Sequence, residues 1–407
     1  MAKILIVSDI HIGIRYSYRV DLKTGVSHRT LDFINAFARV ADYAIKNKID
    51  IFVIAGDLYD RVTIGPTLLR QVREKVWQPL IQAKIPIVCI GGNHDSPQIF
   101  QKGSPLGEIS LIPNSIVTRK PKTVNIKALH TKEEIGFVLL PYMTAAQIVK
   151  FVERQMKKEI EKDRQLSTSQ EFLKVYLSNQ IKHLSTNKKI VVGHFFFQDS
   201  KINIIPYPNQ LQHEFVFKKD MLPLDDIDLA IFGHIHTTQT LLDKKVLVPG
   251  SLERVDFGEL NEDKGFYIYD TESNDLEFVS NNPRALIKQY VEVPKVDDPT
   301  GYLIKNIPPT INDAVVRLFV KTTPEVKNKI ILPRIHDKLK VAFHFDLIWD
   351  TSTTEREIIL PEFVLDPLVL FNDFISEKFD QFPDLEILRD RGLKILDKAL
   401  SKVEEKL

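Results

Sequence analysis

Hydrophobic residues along this chain occur in short continuous runs, and five of these runs are followed within a few residues by Asp, Asn or His. Largely β-branched runs of this length predict strands that are buried on both faces. Open sheets bind their ligands at the ends of their strands, so the polar residues are expected to converge in one cleft. The runs are Ile4–Val7, Ile51–Ile54, Ile87–Ile90, Ile190–Val192 and Leu229–Phe232.

The polar residues after the five runs form a mixed set of oxygen and nitrogen donors. Two aspartates, one asparagine and four histidines suit two divalent transition ions, and one further histidine, His94, is left over. The predicted metal ligands are Asp9, His11, Asp57, Asn93, His194, His234 and His236.

Each of these pieces also has an ordinary structural explanation. The sequence His234-Ile235-His236 is typical of a strand end with one buried and one solvated imidazole. Asp57 suits a plain turn, and Gly92-Asn93 suits a tight turn. The agreement of five such endings, in the same order of strand, glycine and ligand, is what favours a metal centre.

Periodic patterns elsewhere predict the surrounding elements and the domains. Apolar spacing over 31–45 and 68–76 predicts helices beside the sheet, and a charged, glycine-poor stretch over about 145–184 predicts a long helical insertion. A composition break at Asn281–Arg284 divides the chain into expected domains 1–282, 283–360 and 361–407. The second has strand-like runs at 286–293, 314–320 and 340–347 with a helix before the last, which predicts a small α+β unit.

Two amphipathic helices are predicted after Pro361. Leu368, Phe371, Ile375 and Phe379 recur at helical spacing, and apolar residues mark a second helix over 385–407. Helices this short bury little by themselves, so they are expected to dock either on the preceding domain or in a groove of a partner protein.

Composition limits the cellular context. The single cysteine, Cys89, lies in an apolar run and is expected to be a buried thiol, so no disulfide framework is possible. The sequence contains no leader-like segment and no run of membrane-spanning length, which favours the cytoplasm and no membrane partner. A net charge of +1 means that nucleic-acid binding has to be argued locally.

The loop after the first run is the best local candidate for a nucleic-acid contact. It interleaves arginine, which suits phosphates, with tyrosine, which suits a stacked base. A solvated loop with incidental charge is the alternative. The predicted contacts are Arg15, Tyr16, Tyr18 and Arg19, with Arg61 and Arg254 extending the basic rim.

Five short motifs carry a resemblance to a known family. In order they are Asp9-Ile10-His11, Gly56-Asp57, Gly92-Asn93-His94-Asp95, Gly193-His194 and Gly233-His234-Ile235-His236, and they resemble the signatures of the calcineurin-like metallophosphoesterases. The segment 249–259, followed by Lys264-Gly265-Phe266, is similar to the SbcD-type DNA double-strand-break nucleases. The resemblance implies an α/β fold, namely a β-sandwich flanked by helices, then a small α+β cap domain that contacts DNA and a C-terminal helical segment.

The resemblance also implies roles for the residues. Asp57 would bridge two cations about 3.5 to 4 Å apart by sharing its two oxygens. Asp9, His11 and His236 would hold one cation and Asn93, His194 and His234 the other, while His94 would act as general acid or orient the phosphate. Asp95 would orient His94 or cap the next helix, and Asp60 stands where several relatives have a phosphate-contacting histidine. Two Mn²⁺ ions are expected, with Mg²⁺ or another divalent ion possible, because no cysteine lies near the cluster.

The function so implied is a Mn-dependent DNA nuclease in double-strand-break repair, associated with the nucleoid. It would act as a 3′-to-5′ exonuclease on duplex ends and an endonuclease on single strands or hairpins, as a homodimer with an SbcC-type SMC-like ATPase bound by the C-terminal helices. The dimer surface would use Leu68, Leu69, Val72, Leu106, Ile109 and Leu111, which could equally fill the monomer core.

Two other functions remain open from the sequence. A metallophosphatase or cyclic-nucleotide phosphodiesterase would use the same centre on a small substrate, although the additional domains and the basic loop disfavour it. A catalytically inactive scaffold would be expected to have lost ligands, and none is missing.

Overall fold

The computed structural model describes residues 2–14, 20–96, 103–201 and 214–351. The chain divides into two compact units, Met1–Asp350 and Thr351–Leu407, and the described helices and strands all belong to the first. The two helices predicted after Pro361 therefore lie outside the described residues. Within the described ranges, no helix is long and apolar enough to cross a membrane.

The first of two six-stranded sheets carries the three N-terminal runs. It contains β1 (Lys3–Val7), β2 (Ile51–Ile54), β3 (Ile87–Ile90), β4 (Ser115–Thr118), β13 (Gly265–Asp270) and β14 (Leu276–Ser280). Its strand order is β14-β13-β1-β2-β3-β4, with β1 to β4 parallel to one another and β13 antiparallel to β1.

The second sheet carries the other two runs. It contains β5 (Lys122–Lys127), β6 (Glu134–Leu140), β7 (Lys188–His194), β10 (Leu229–Gly233), β11 (Gln239–Leu241) and β12 (Val246–Val248), in the order β11-β12-β10-β7-β6-β5. A short parallel pair, β8 (Phe196–Phe197) and β9 (Val216–Phe217), lies between β7 and β10 in the chain.

The five apolar runs are strands and are fully buried, as predicted. In β1, Leu5 and Val7 pack in the core beneath the helices, whereas Ile4 and Ile6 pack in a second core that joins the two sheets. Side chains alternate between the faces of a strand, so a strand covered on both faces needs an unbroken apolar run. The sandwich predicted from the family resemblance is therefore confirmed.

Helices cover the outer faces of the sandwich. The first core includes residues of α1 (His28–Lys46) and of a continuous helical segment made of α2 (Pro66–Val72), one π-helical turn (Arg73–Trp77) and α3 (Gln78–Gln82). The predicted insertion is two helices, α4 (Ala145–Met156) and α5 (Gln165–His183), packed on the second sheet. It is interrupted because Lys157 takes a left-handed φ of 55° and ends α4.

A small unit of three strands and three helices follows the sandwich. It contains β15 (Leu286–Glu292), α6 (Pro299–Lys305), β16 (Val315–Lys321), α7 (Pro324–Lys329), α8 (Leu332–Leu339) and β17 (His344–Asp350). All three strands are parallel, so helices fill both crossovers and the unit is α/β rather than the predicted α+β. Alternation of apolar residues does not reveal strand direction, which explains the difference. The predicted boundary after residue 282 falls between β14 and β15 and stays a prediction.

One arginine fixes this small sheet to the sandwich. Arg284 donates from Nε and Nη2 to the carboxylate of Asp32 on α1, at 2.6 and 2.8 Å. Its guanidinium also lies 3.8 Å above the ring of Phe343, just before β17. A bidentate ion pair with a stacked ring is the strong form of an arginine contact, so the two parts are joined directly.

Candidate metal centre

The loops after β1 and β2 hold the first ligands at one edge of the sandwich. The amides of Ile10 and His11 donate to the carbonyl of Asp57, at 2.9 and 3.0 Å, and the amide of Asp9 donates to the carbonyl of Gly56. Asp9, His11 and Asp57 have φ values of 50°, 50° and 47°, in the left-handed region that ordinary residues seldom occupy. Backbone strain of this kind concentrates at functional sites.

Two glycines let the ligands approach one another. A Cβ at Gly56 would lie 2.1 Å from Nδ1 of His194, and one at Gly92 would lie 2.0 Å from Oδ1 of Asp57. The glycine in each motif is therefore required by the side chain of a ligand from another loop.

The first group of donors contains one carboxylate and two imidazoles. Nε2 of His11 lies 3.0 Å from Nε2 of His236, and each nitrogen lies 4.0 Å from Oδ1 of Asp9. The other oxygen of Asp9 accepts a hydrogen bond of 2.6 Å from the hydroxyl of Ser8. The amide of His234 donates to both oxygens of Asp9, at 3.2 and 3.1 Å, so the carboxylate is fixed with its Oδ1 toward the imidazoles.

The second group is centred on the amide oxygen of Asn93. This oxygen lies 2.9 Å from Nδ1 of His234 and 3.1 Å from Nε2 of His194. Both imidazoles are buried or nearly so.

Asp57 lies between the two groups. Its Oδ2 is 3.3 Å from Nε2 of His194 and 3.9 Å from Nε2 of His11, whereas its Oδ1 accepts from the amide of His94 at 2.9 Å. A single oxygen therefore faces both groups, which differs from the expected sharing of two. Burial acts to raise the pKa of Asp57, but the imidazoles of His194 and His11 hold it well below its ordinary value, so the carboxylate is ionised.

The outer nitrogen of each of the four imidazoles faces an acceptor. For His194 and His236 the contact is a hydrogen bond that fixes the tautomer, so that the opposite nitrogen directs its lone pair into the centre. The acceptors facing His234 and His11 are farther away, beyond hydrogen-bond distance. The pairs are His194 Nδ1 with the carbonyl of Ala55 at 2.8 Å, His236 Nδ1 with Glu259 Oε1 at 2.7 Å, His234 Nε2 with Glu214 Oε2 at 3.6 Å, and His11 Nδ1 with Asp60 Oδ1 at 3.7 Å.

A buried charged cluster behind His236 was missed by sequence reasoning. Nζ of Lys264 lies 3.0 Å from Oε2 of Glu259 and 2.7 Å from Oε2 of Glu262, and it donates to the carbonyl of His236 at 3.0 Å. Burial acts to raise the pKa of Glu259, but His236 and Lys264 lower it to about 2. The signal was present, because Glu259 and Lys264 belong to the 249–266 segment of the narrower resemblance.

His94 differs from the predicted ligands in its exposure. Its side chain is 41% exposed, and its Nδ1 donates to the carbonyl of Asp60 at 2.9 Å, which leaves Nε2 directed away from that contact. Its ring lies edge-on to that of His11, with centroids 4.7 Å apart. A nitrogen of His94 also lies close enough to His11 and Asp57 to form a third possible ligand group.

Asp95 contacts the backbone of two neighbouring loops. It is fully buried, and its Oδ2 accepts from the amide of Leu58 at 2.9 Å while its Oδ1 accepts from the amide of Gly92 at 2.8 Å. It therefore ties the loop after β2 to the loop after β3, and both of its oxygens are engaged by backbone amides rather than by the His94 side chain. The segment 97–102, where a helix capped by Asp95 would begin, lies outside the described residues.

The predicted basic rim is described only in part, because Arg15, Tyr16, Tyr18 and Arg19 lie outside the described residues. Arg61 is one-third exposed and pairs with Asp60. Arg254 donates to the carbonyls of Glu259, Glu262 and Arg284 at 3.0 to 3.2 Å. A nucleic-acid contact by Arg254 would have to break these bonds, so its guanidinium holds the loop after β12.

The residues brought together fit two divalent cations. Ring nitrogens of His11 and His236 lie around one space beside an aspartate oxygen, and ring nitrogens of His194 and His234 lie around another beside an amide oxygen. Oxygen and imidazole donors without thiolate suit Mn²⁺ and similar ions. The Oδ2 atom of Asp57 lies between the two spaces.

The chain resembles known proteins over the part that builds this centre. The family model described as calcineurin-like phosphoesterase matches residues 2–238. A curated relative from Staphylococcus epidermidis, the SbcD component of the nuclease SbcCD, is 28% identical over 232 residues, which is 57% of this chain and 58% of the relative. The chain thus matches less than two thirds of that relative's length.

Solved structures align more distantly. A dimetal phosphatase from Danio rerio aligns with a TM-score of 0.38 and 10% identity, over 69% of this chain and 97% of that protein. Values this low carry no conclusion about activity.

Proposed function

The chain belongs to the calcineurin-like phosphoesterase family, and on this basis we propose that it is a metal-dependent phosphodiesterase that cleaves DNA. The observation that carries the proposal is the single oxygen of Asp57 that faces two groups of donors. A dinuclear centre needs one such shared ligand between two complete sets of further ligands.

The proposed cations and His94 have different roles in the reaction. Two divalent cations, when bound, supply activation of water and neutralisation of charge on the phosphoryl and leaving oxygens. Because the Nδ1 of His94 donates to the carbonyl of Asp60, Nε2 is the nitrogen that can take up a proton and release it to a departing oxygen. A partly exposed imidazole beside the buried ligands suits orienting a phosphate and protonating the departing oxygen.

DNA as the substrate is supported by the curated relative and by the layout of the chain. That relative is named as part of a nuclease, and the small α/β sheet fixed by Arg284 adds a second surface beside the sandwich. On the same basis the preferred ion is Mn²⁺, the reactions are 3′-to-5′ exonuclease and single-strand or hairpin endonuclease cleavage, and the partner is an SbcC-type ATPase in double-strand-break repair.

A homodimer is part of this proposal, but its surface is smaller than the sequence suggested. Val72, Leu106 and Ile109 are buried in the core of the sandwich, and Leu68 and Leu69 are half-buried against it. Leu111 is 84% exposed. A dimer contact in this region would therefore depend on Leu111.

The test compares three substrates with the same purified protein. With Mn²⁺ we expect nucleotides to be released from end-labelled duplex DNA and a chromogenic phosphodiester to be cleaved, with little action on a chromogenic phosphomonoester. Asp57→Asn is the matched control and should abolish both diester activities. Preference for the monoester, with DNA left intact, would replace the proposal by a metallophosphatase.

A further inference from the structure

A groove of about 870 Å³ opens beside the metal centre, between the β4–β5 turn and helix α4. Its inner end is lined by Asn93, a predicted ligand, and by Tyr142, whose ring centroid lies 5.8 Å from that of His234. The groove therefore leads directly into the centre.

Backbone hydrogen bonds fix both walls of this groove to the loop of the centre. The amide of Gly91 donates to the carbonyl of Thr118 at the end of β4, at 3.0 Å. The carbonyl of Gly91 accepts from the amide of Tyr142, just before α4, at 2.9 Å. Gly91 lies two residues before Asn93, so the walls keep a fixed position relative to the ligands.

The charged residues that line the groove are all cations. They are Arg119 and Lys120 on the turn and Lys150 and Arg154 on α4, and no carboxylate is among the described lining residues. In a chain with a net charge of +1, four cations in one groove form a local concentration of charge that attracts a phosphate backbone.

The two cations on α4 form a row. Lys150 and Arg154 are one turn apart, about 6 Å along the helix axis, on a face opposite to buried Ile148 and Val152. Both residues also line a shallower cavity with Lys157 and Lys158, and the two carboxylates of that cavity are Glu153 and Glu159. Four cations against two carboxylates leave this outer cavity with an excess of positive charge, which extends the charge of the groove to the end of α4.

Aromatic and apolar side chains lie among these cations. Phe151 lines the groove, and its ring is held edge-on by Phe172 and Tyr176 of α5, at centroid distances of 6.3 and 5.6 Å. Cations that follow a backbone, with an aromatic ring between them, are the usual means of binding single strands. A cavity of this volume is in the range that encloses a small organic molecule, which suits a few nucleotides of one strand.

We propose that this groove binds one unpaired DNA strand and guides its phosphodiester backbone into the metal centre. The proposal rests on the proposed DNA phosphodiesterase function and names the path by which its substrate enters. Lys150 and Arg154 contact phosphates, and Phe151 stacks against a base.

The test measures binding of a fluorescent oligothymidine by anisotropy, with EDTA present so that no cleavage occurs. The variant is Lys150→Gln/Arg154→Gln. The matched control is Lys174→Gln/Lys182→Gln, which neutralises two exposed lysines of α5 that do not line the groove. Melting temperatures of both variants report whether the fold is intact.

We expect the groove variant to bind roughly fivefold to tenfold more weakly, and the slope of log affinity against log salt to become shallower by about 1.4, or about 0.7 for each lost phosphate contact. The control should match the wild type. Phe151→Leu, which keeps the apolar contact with α5, should weaken binding while leaving the salt slope unchanged.

Three results would contradict the proposal that this groove binds a single strand. These are an unchanged affinity and slope in a folded Lys150→Gln/Arg154→Gln variant, an equal loss in the control, or equally tight, equally sensitive binding of polyglutamate. A different result would contradict the proposed function and leave the groove in place. If the wild type bound the strand in the groove but cleaved no phosphodiester with any divalent ion, the groove would stand and the phosphodiesterase would not.

Discussion

The histidines of the centre are positioned by the acceptors that face their outer ring nitrogens. His194, His236 and His234 each have one nitrogen facing the donor groups and the other facing a carbonyl or carboxylate. His94 differs in its exposure, since its side chain is 41% exposed whereas that of His236 is 23% exposed. This difference favours a role on the substrate for His94 and a role in holding cations for the others.

His94→Gln should leave two metal ions bound while turnover of a phosphodiester falls by roughly 10² or more. Glutamine keeps a polar group in place but cannot release a proton to the leaving oxygen. Metal analysis of the purified variant, with steady-state kinetics, checks this. Asp57→Asn is the contrasting variant and should lose at least one ion, whereas loss of an ion in His94→Gln would make His94 a ligand.

Glu259→Gln should weaken the binding of one of the two ions by roughly tenfold to 100-fold, because the neutral amide no longer stabilises the Nδ1 proton of His236. Isothermal titration of the metal-free protein measures this directly. Glu277→Gln changes an exposed carboxylate on β14 and serves as control. If the two variants bound metal equally well, Glu259 would have only a structural role with Lys264.

Elements matter because the ligands stand on the loops that follow parallel strands. Parallel neighbours end at the same edge, so the loops after β1, β2 and β3 meet, and Asp95 links two of them through backbone amides. Their close approach leaves no room for a side chain at Gly92.

Gly92→Ala should displace the loop after β3 and destabilise the fold by about 1 to 3 kcal/mol, because its Cβ would lie 2.0 Å from Oδ1 of Asp57. Reduced metal content should accompany the lower melting temperature. Gly107→Ala is the matched control, since no atom lies within 4 Å of a Cβ there. Equal melting temperatures and full metal content in both variants would contradict this explanation of the motif.

At the scale of the whole molecule, the predicted C-terminal helices are proposed to bind a partner protein. The first compact unit ends at Asp350, and the remainder of the sequence carries the predicted helices with Phe371, Ile375 and Phe379. We expect deletion of 362–407 to abolish association with an SbcC-type ATPase while Mn²⁺-dependent DNA cleavage is kept. Co-purification of the truncated protein with the ATPase at full affinity would show that the helices dock elsewhere.

Leu111→Glu should convert a dimer to a monomer, as judged by sedimentation, because this residue is exposed and its neighbours Leu106 and Ile109 are already buried in the monomer. Leu22→Glu changes another highly exposed leucine, in the segment between β1 and α1, and should leave the mass unchanged. A folded Leu111→Glu protein with the mass of the wild type would exclude this surface.

The sequence by itself determined the strands and the family, and it supplied the seven residues that we propose as ligands. Runs such as Ile51–Ile54 must be apolar throughout because both faces of the strand are covered, and the ligands follow these runs at fixed short distances. Both signals are local, so they can be read without knowing how the chain folds.

Only the tertiary structure decided how these local pieces meet. Interactions between distant segments place one oxygen of Asp57 between the donor groups, direct Asp95 to the amide of Leu58, and occupy the guanidinium of Arg254 with backbone carbonyls. The parallel direction of β15 to β17 and the groove beside α4 are likewise relations between segments far apart in sequence. Residue types and spacing specify which groups are available, whereas distances between loops specify which atom of each group faces its partner.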